Sequence, residues 1–308
     1  MSVFWGDLVA RARGLAGGRL LGRRMEAVEG ATDLASLHRI LAQAGYSTPE
    51  PCTARRVEEA LAERSARWTA VLGRWAGRSR RKMLTVCFEE PTVGSLVARV
   101  RKIAEGAPPE KIEHLAAELS KDPEREAYGE ALGRHAAAVR LDLWAVELAL
   151  ERVFLERAVA GARRGDRPLR QLAAHLVDHR NLWTALMAGP EKGLSPDETR
   201  DLFVEGGRRL HRAALAQGPE PTTLAERFEG ALARALADRA EIATLQEAAR
   251  ADLLREQRRW LLRRPLSSAG VSVPWLALAA EQRTLRRVAW SLELGVPWRP
   301  VEPWKEAA

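Results

Sequence analysis

The longest stretch without a helix-breaking residue is the feature that most constrains the fold. Residues 231–264 contain neither glycine nor proline, and their apolar side chains recur at helical spacing. Residues 134–160 are also free of both breakers. Both stretches predict helices, and Pro265 is expected to end the first. Only residues 85–88 resemble a strand, so the sequence predicts an all-α protein.

A short pattern occurs three times along the chain. A Ser, Asn or Thr precedes a leucine, and a glycine closely followed by a proline comes eleven or twelve residues later. The three copies run from Ser95 to Gly106, from Asn181 to Gly193 and from Thr284 to Gly295. Each copy predicts a short helix of two to three turns that ends on its glycine.

An acidic residue precedes the motif by three positions in two of the copies. It is Asp178 in the second copy and Glu281 in the third, whereas Thr92 occupies this position in the first. The triple occurrence indicates an internal triplication. We therefore predict three similar helical units, at residues 1–112, 113–205 and 206–308.

The chain is basic, with a formal net charge of +8 and a sequence pI near 10.1. Residues 65–88 contain no acidic residue, and their cations are candidate contacts for an acidic partner: Arg74, Arg78, Arg80, Arg81 and Lys82. A solvated helix face would show the same pattern. Arginine supplies 43 of the 49 cations, which a codon bias also explains.

The sequence gives little sign of catalysis. It lacks the glycine-rich loop that binds nucleotide phosphates and the elbow that presents a nucleophilic serine. His175 and His179 share a helix face and could hold zinc, but no third ligand has a suitable spacing, so a structural role is preferred. We expect no catalytic residue, metal or cofactor. No window of about 18 residues is free of charge, so no transmembrane segment is expected.

Four strings resemble those of one known family, in the same order along the chain. They are the acidic-aromatic helix at 148–156, the acid-to-Asn-Leu motif at 176–182, the Gly-Gly segment at 202–208 and the C-terminal repeat at 276–297. Together they resemble the family of V/A-type ATPase C subunits, whose homologues in the eukaryotic vacuolar enzymes are the d subunits. The cations that follow the Gly-Gly pair, Arg208 and Arg209, are further candidate partner contacts.

The resemblance implies an architecture and a role. It implies three helical domains in a pseudo-threefold, funnel-like arrangement, with the end of the central shaft in the cavity and the narrow end on the proteolipid ring. The expected function is that of a non-catalytic central-stalk subunit that couples shaft to ring. It would lie at the cytoplasmic side of the membrane, as a peripheral component.

One alternative remains open at this stage. A basic all-helical adaptor that binds nucleic acid or scaffolds another complex would have a similar composition. Nucleic acid is not expected as a partner, because the chain lacks a recognition motif beyond its basic clusters.

Overall fold

The computed structural model describes residues 4–20, 23–106, 110–136, 142–188, 202–210 and 220–297. Within these ranges all regular structure is helical, which confirms the all-α prediction. The helices are α1 (Gly6–Ala16), α2 (Arg23–Glu29), α3 (Leu34–Gln43), α4 (Ala54–Met83), α5 (Thr85–Phe88), α6 (Glu90–Gly106), α7 (Glu110–Ser120), α8 (Glu126–Ala136), α9 (Leu143–Ala162), α10 (Arg167–Ala188), α11 (Pro221–Ala225), α12 (Gly230–Ala237), α13 (Ile242–Arg263) and α14 (Ala269–Leu294).

The chain forms two compact units. Unit 1 combines residues 1–78 with 228–308, and unit 2 comprises residues 79–227. The prediction of three units at 1–112, 113–205 and 206–308 rests on the repeats and stays a prediction.

In unit 1 the C-terminal half of α14 is central to the core. Its residues Leu285, Val288 and Ala289 pack among buried apolar side chains that come from the segment between Leu20 and Leu61. Each fully buried leucine of this kind stabilises the fold by about 1.5–3 kcal/mol before the entropy of ordering it is subtracted.

Helices α13 and α14 form an antiparallel pair in unit 1. The Ser272 hydroxyl donates to the Gln257 side chain at 3.0 Å, and the guanidinium of Arg287 lies 2.7 Å from the carboxylate of Glu247. The first contact lies near the turn and the second near the opposite end of the pair. Both polar contacts are buried or half-buried, so they fix the register of the two helices.

Unit 2 is built around α9. This helix packs against α5, α6, α8 and α10. The carboxylate of Glu89, just after α5, accepts hydrogen bonds from the Tyr128 hydroxyl on α8 and from both arms of Arg157 on α9, each at 2.8 Å. A bidentate guanidinium with a phenol on the same carboxylate joins three parts of the unit.

Helix α4 is kinked at Gly77. This residue has φ 63° and ψ 170°, far from helical values, and lies two positions before the boundary at which unit 2 begins. Residues with a side chain rarely adopt this conformation, so the kink depends on glycine.

The two long breaker-free stretches are not single helices. Residues 231–264 are interrupted between α12 and α13, where Arg239 has φ 51°. The carboxylate of Asp252 accepts hydrogen bonds from the backbone of Ala231 and Leu232, which holds the start of α12 against α13. The helix does end just before Pro265, as predicted.

The second stretch, residues 134–160, is interrupted in the same way. Helix α8 ends at Ala136, and α9 begins after Asp142, whose extended backbone and side chain cap the new helix. The Asp142 carboxylate accepts hydrogen bonds from the backbone of Trp144 and Ala145. A capping aspartate therefore starts a new helix where no glycine or proline occurs.

Two further expectations were wrong in detail. The strand-like residues 85–88 form the short helix α5, and all four are buried, so tertiary packing overrides their β propensity. The helices that carry the repeated motif are also longer than two to three turns, at 17 residues for α6, 22 for α10 and 26 for α14. Breakers near the motif do not shorten these helices, since α6 includes Pro91 and Gly94 and α14 continues through Pro274.

Candidate functional site

The acidic residue of the second repeat is a buried acceptor for backbone amides. Asp178 on α10 is fully buried, and its carboxylate accepts hydrogen bonds at 3.0–3.1 Å from the backbone of Arg208, Arg209 and Leu210. A side chain at Gly207 would collide with this carboxylate, so the close approach requires glycine. The repeat acid thus binds the Gly-Gly segment.

The asparagine of the same motif binds the same segment one turn later. The side-chain amide of Asn181 donates to the carbonyl of Val204 and accepts from its N–H, both at 2.9 Å. Asn181 is fully buried, and its side-chain amide pairs with the backbone N–H and carbonyl of Val204 as a neighbouring backbone would. Asp178 and Asn181 together hold the ends of the segment 204–210.

The acidic residue of the third repeat makes an equivalent contact in unit 1. The side chain of Glu281 on α14 is fully buried, and one of its oxygens accepts from the backbone N–H of Leu20 at 3.1 Å and from Arg19 at 3.3 Å. The other oxygen accepts from the Tyr46 hydroxyl at 2.6 Å. Burial and the adjacent carboxylate raise the pKa of Tyr46.

The partners of the two buried acids share a sequence that the repeated motif does not include. Glu281 binds a segment that reads Gly-Gly-Arg-Leu at 17–20, and Asp178 binds one that reads Gly-Gly-Arg-Arg-Leu at 206–210. Taken alone, each Gly-Gly pair suggests only a fragment of a phosphate-binding loop. Their common continuation, which is arginine and then leucine, is the signal that could have identified them as the partners.

Two titratable groups near the second repeat are shifted by burial. Burial raises the pKa of Asp178, and the hydrogen bonds from the backbone of 208–210 offset part of that effect. Burial, with the cations of Arg209 and Arg208, lowers the pKa of His175 to about 4. His175 is therefore neutral at physiological pH.

The remaining motif residues differ in environment. Ser95 is exposed on α6, whereas Thr284 is half-buried and donates to the carbonyl of Ala280 within its own helix. Gly106 is the last residue of α6, and Gly295 ends α14 with a left-handed φ of 64°. Gly193 lies outside the described residues. In the first copy, which lacks the acid, Ser95 is thus exposed. In the two copies with a buried acid, the corresponding residues Asn181 and Thr284 are buried or half-buried and hydrogen-bonded.

The basic residues of α4 are mostly at the surface. Arg74, Arg78, Arg81 and Lys82 are exposed and Arg80 is half-buried. Within the described ranges, Arg74, Arg78 and Lys82 have no ion-pair partner, in contrast to the i,i+4 pairs earlier in the same helix. The basic residues that follow the second Gly-Gly pair are also accessible, with Arg208 exposed and Arg209 half-buried.

The histidine pair lies on one face of α10. The rings of His175 and His179 are stacked with their centroids 6.4 Å apart. In the part of the chain that the structure describes, no group of three or more His, Cys, Asp or Glu side chains is placed to hold a metal ion. None of the described helices combines the length and the apolar character that crossing a membrane requires.

The fold and these contacts define a class of protein: an all-helical protein whose buried acids bind its own backbone. Sequence comparison makes the class specific, because the family described as ATP synthase (C/AC39) subunit matches residues 8–298. The chain belongs to this family, whose members are subunits of V/A-type rotary ATPases. No curated protein matches the chain in a sequence search.

Proposed function

We propose that the chain is the non-catalytic central-stalk subunit of a V/A-type rotary ATPase and couples the rotating shaft to the membrane proteolipid ring. The observation that carries this proposal is the family match, which extends over nearly the whole chain. The role would place the protein at the cytoplasmic side of the membrane, as a peripheral component of the complex.

The use of its buried polar groups supports a mechanical role. Asp178, Asn181 and Glu281 are all buried and all bind backbone or side chains of the protein itself. Charges held in this way are unavailable to a substrate, but they make the contact between helix and loop specific. A subunit that transmits torque needs such fixed contacts.

We also propose that the predicted triplication is cyclic. The acid of the second repeat binds a Gly-Gly-Arg segment that follows it in the chain, at 206–210. The acid of the third repeat binds the matching segment at the start of the chain, at 17–20. The N-terminal segment would then complete the third repeat, as expected if three units close around an axis.

The exposed cations of α4 are the proposed contact with an acidic surface of the shaft or ring. Exposed ion pairs contribute little to stability, so cations without partners are better explained by binding than by folding. The test is co-expression with the neighbouring subunits of the rotary ATPase, followed by affinity purification through this chain. Shaft and ring subunits should co-purify, and the absence of both would end the proposal.

A matched pair of triple variants tests the contact surface. Charge reversal at Arg74, Arg78 and Lys82 should reduce recovery of the partner subunits by at least about tenfold if the three pairs each contribute about 0.5–1 kcal/mol. The control reverses three exposed arginines of unit 1 outside this cluster: Arg13, Arg24 and Arg39. Equal losses in both variants would show that net charge, not this surface, determines binding.

A further inference from the structure

The turn between α13 and α14 presents large apolar side chains to solvent. Residues 262–266 are consecutively exposed, and the exposed fractions of Leu262 and Leu266 are 84% and 60%. Leucines exposed to this extent lose most of the stabilisation that burial would give them. Leu262 in the last turn of α13 and Leu266 just after the helix thus leave two apolar side chains exposed at this junction.

The start of α1 lies at the same end of unit 1. Gly270, near the beginning of α14, is packed against the side chain of Val9 on α1, and further along α14 Glu281 binds Leu20, four residues after α1 ends. The second contact lies further toward the C-terminus than the first on both segments, so α1 and α14 run parallel. Phe4, two residues before α1, is therefore at the end that carries the turn, and it is 70% exposed.

This end of unit 1 is also strongly basic. No acidic residue occurs from Gln257 to Ala280, and Arg259, Arg263 and Arg264 are exposed around the turn. The sequence from residue 4 to residue 20, which includes α1, contains one acidic residue, Asp7. Exposed arginines thus lie in the same segment as the two exposed leucines.

We propose that this lipid-facing end, defined by Phe4, Leu262, Leu266, Arg259, Arg263 and Arg264, binds the surface of an anionic phospholipid membrane. Guanidinium groups would donate hydrogen bonds to headgroup phosphates, while the three apolar side chains enter the acyl boundary. A rigid protein partner would need a matching cavity for each projecting side chain, whereas a fluid apolar phase accepts them without one. The inference adds a lipid contact to the protein contacts of the proposed function and does not depend on them.

Flotation with vesicles tests the proposal on the full chain. Phosphatidylcholine vesicles with about 30% phosphatidylglycerol should bind the protein, and pure phosphatidylcholine vesicles should bind it at least about tenfold more weakly, because each arginine near an anionic surface contributes roughly fivefold in affinity. The double variant Leu262→Glu/Leu266→Glu should lower partitioning by at least about tenfold. Arg263→Gln/Arg264→Gln should lower it by a similar factor and weaken its salt dependence.

Matched controls distinguish this surface from a general effect. Leu294 is 66% exposed at the far end of α14, and Arg39 is exposed on α3, so Leu294→Glu and Arg39→Gln should leave vesicle binding unchanged. Absence of binding to anionic vesicles would overturn the proposal, as would binding that ignores the leucine substitutions. Light scattering on the same samples adds one more outcome. Self-association that Leu262→Glu/Leu266→Glu abolishes, without vesicle binding, would assign the surface to a second copy of the chain instead.

Discussion

Replacing Gly77 with alanine should destabilise the protein, although alanine usually stabilises a helix. Gly77 lies within α4 but has φ 63° and ψ 170°, a conformation that side-chain-bearing residues rarely adopt. Space is not the obstacle, since an added methyl group would have no neighbouring atom within 4 Å. The effect is therefore a test of backbone conformation alone.

The magnitude follows from two opposing contributions. Holding alanine in this conformation costs about 1–3 kcal/mol, and the effect is at the upper end for a region that is nearly exclusive to glycine. The reduced entropy of the unfolded chain offsets about 0.4–1 kcal/mol of that cost. We expect a net loss of about 2 kcal/mol in the free energy of unfolding.

Gly14 and Gly94 are the matched controls. Both are exposed in helices, α1 and α6, and an added methyl group at either position meets no atom within 4 Å. Alanine at these sites should stabilise the protein by about 0.5–1 kcal/mol. Thermal unfolding, monitored by circular dichroism, should thus show a lower Tm for Gly77→Ala and a higher Tm for the controls. The change should be about 2–4 °C per kcal/mol. A rise in Tm for all three variants would refute the argument.

The remaining predictions concern the buried polar groups. Asp178→Ala leaves three backbone N–H groups without their acceptor and should cost about 2–5 kcal/mol in urea denaturation, against about 1 kcal/mol for Asp142→Ala at an exposed helix cap. A cost for Asp178→Ala no larger than that of the cap variant would contradict the assigned role. His175, with its pKa lowered to about 4 in the folded protein, resists protonation, so stability should fall by about 2 kcal/mol between pH 7 and pH 5. His175→Gln should flatten that slope, and an unchanged slope would exclude His175 as its source. The chain has two tyrosines, Tyr46 and Tyr128. Burial is the main cause that raises the pKa of both, and a hydrogen-bonded carboxylate is the second. Tyrosinate absorbance at 295 nm should therefore be absent near pH 10 until the protein unfolds, and stability should fall as pH rises above 10; a normal titration of the folded protein would contradict both contacts.

The sequence predicted helices well and their ends less well. The apolar spacing of residues 231–264 predicted one helix, of which α13 is the C-terminal part, and Pro265 correctly marked its end. The interruption before it could not be foreseen, because it depends on Asp252, which lies twenty residues beyond the backbone N–H of Leu232 that it binds. A helix boundary made by a distant carboxylate leaves no glycine or proline as a signal.

The acidic residues of the repeats were identified, but their partners were not. Spacing alone indicated Asp178 and Glu281 as corresponding positions. The contact from Glu281 to Leu20 joins residues at opposite ends of the chain, and no local pattern reports such a distance in sequence. Comparison of the two Gly-Gly-Arg strings would have suggested that they have a common role, although not which helix each one binds.

The discontinuous composition of unit 1 has a consequence for the order of synthesis. The backbone amide of Leu20 leaves the ribosome long before Glu281, its acceptor, has been made, and 261 residues separate them. At about 5–20 residues per second the N-terminal helices wait roughly 13–50 s for the segment that completes their core. Unit 2 is continuous in sequence and is finished first. Among the described helices α14 is synthesised last, and it is thus the one that brings the beginning of the chain into its final place.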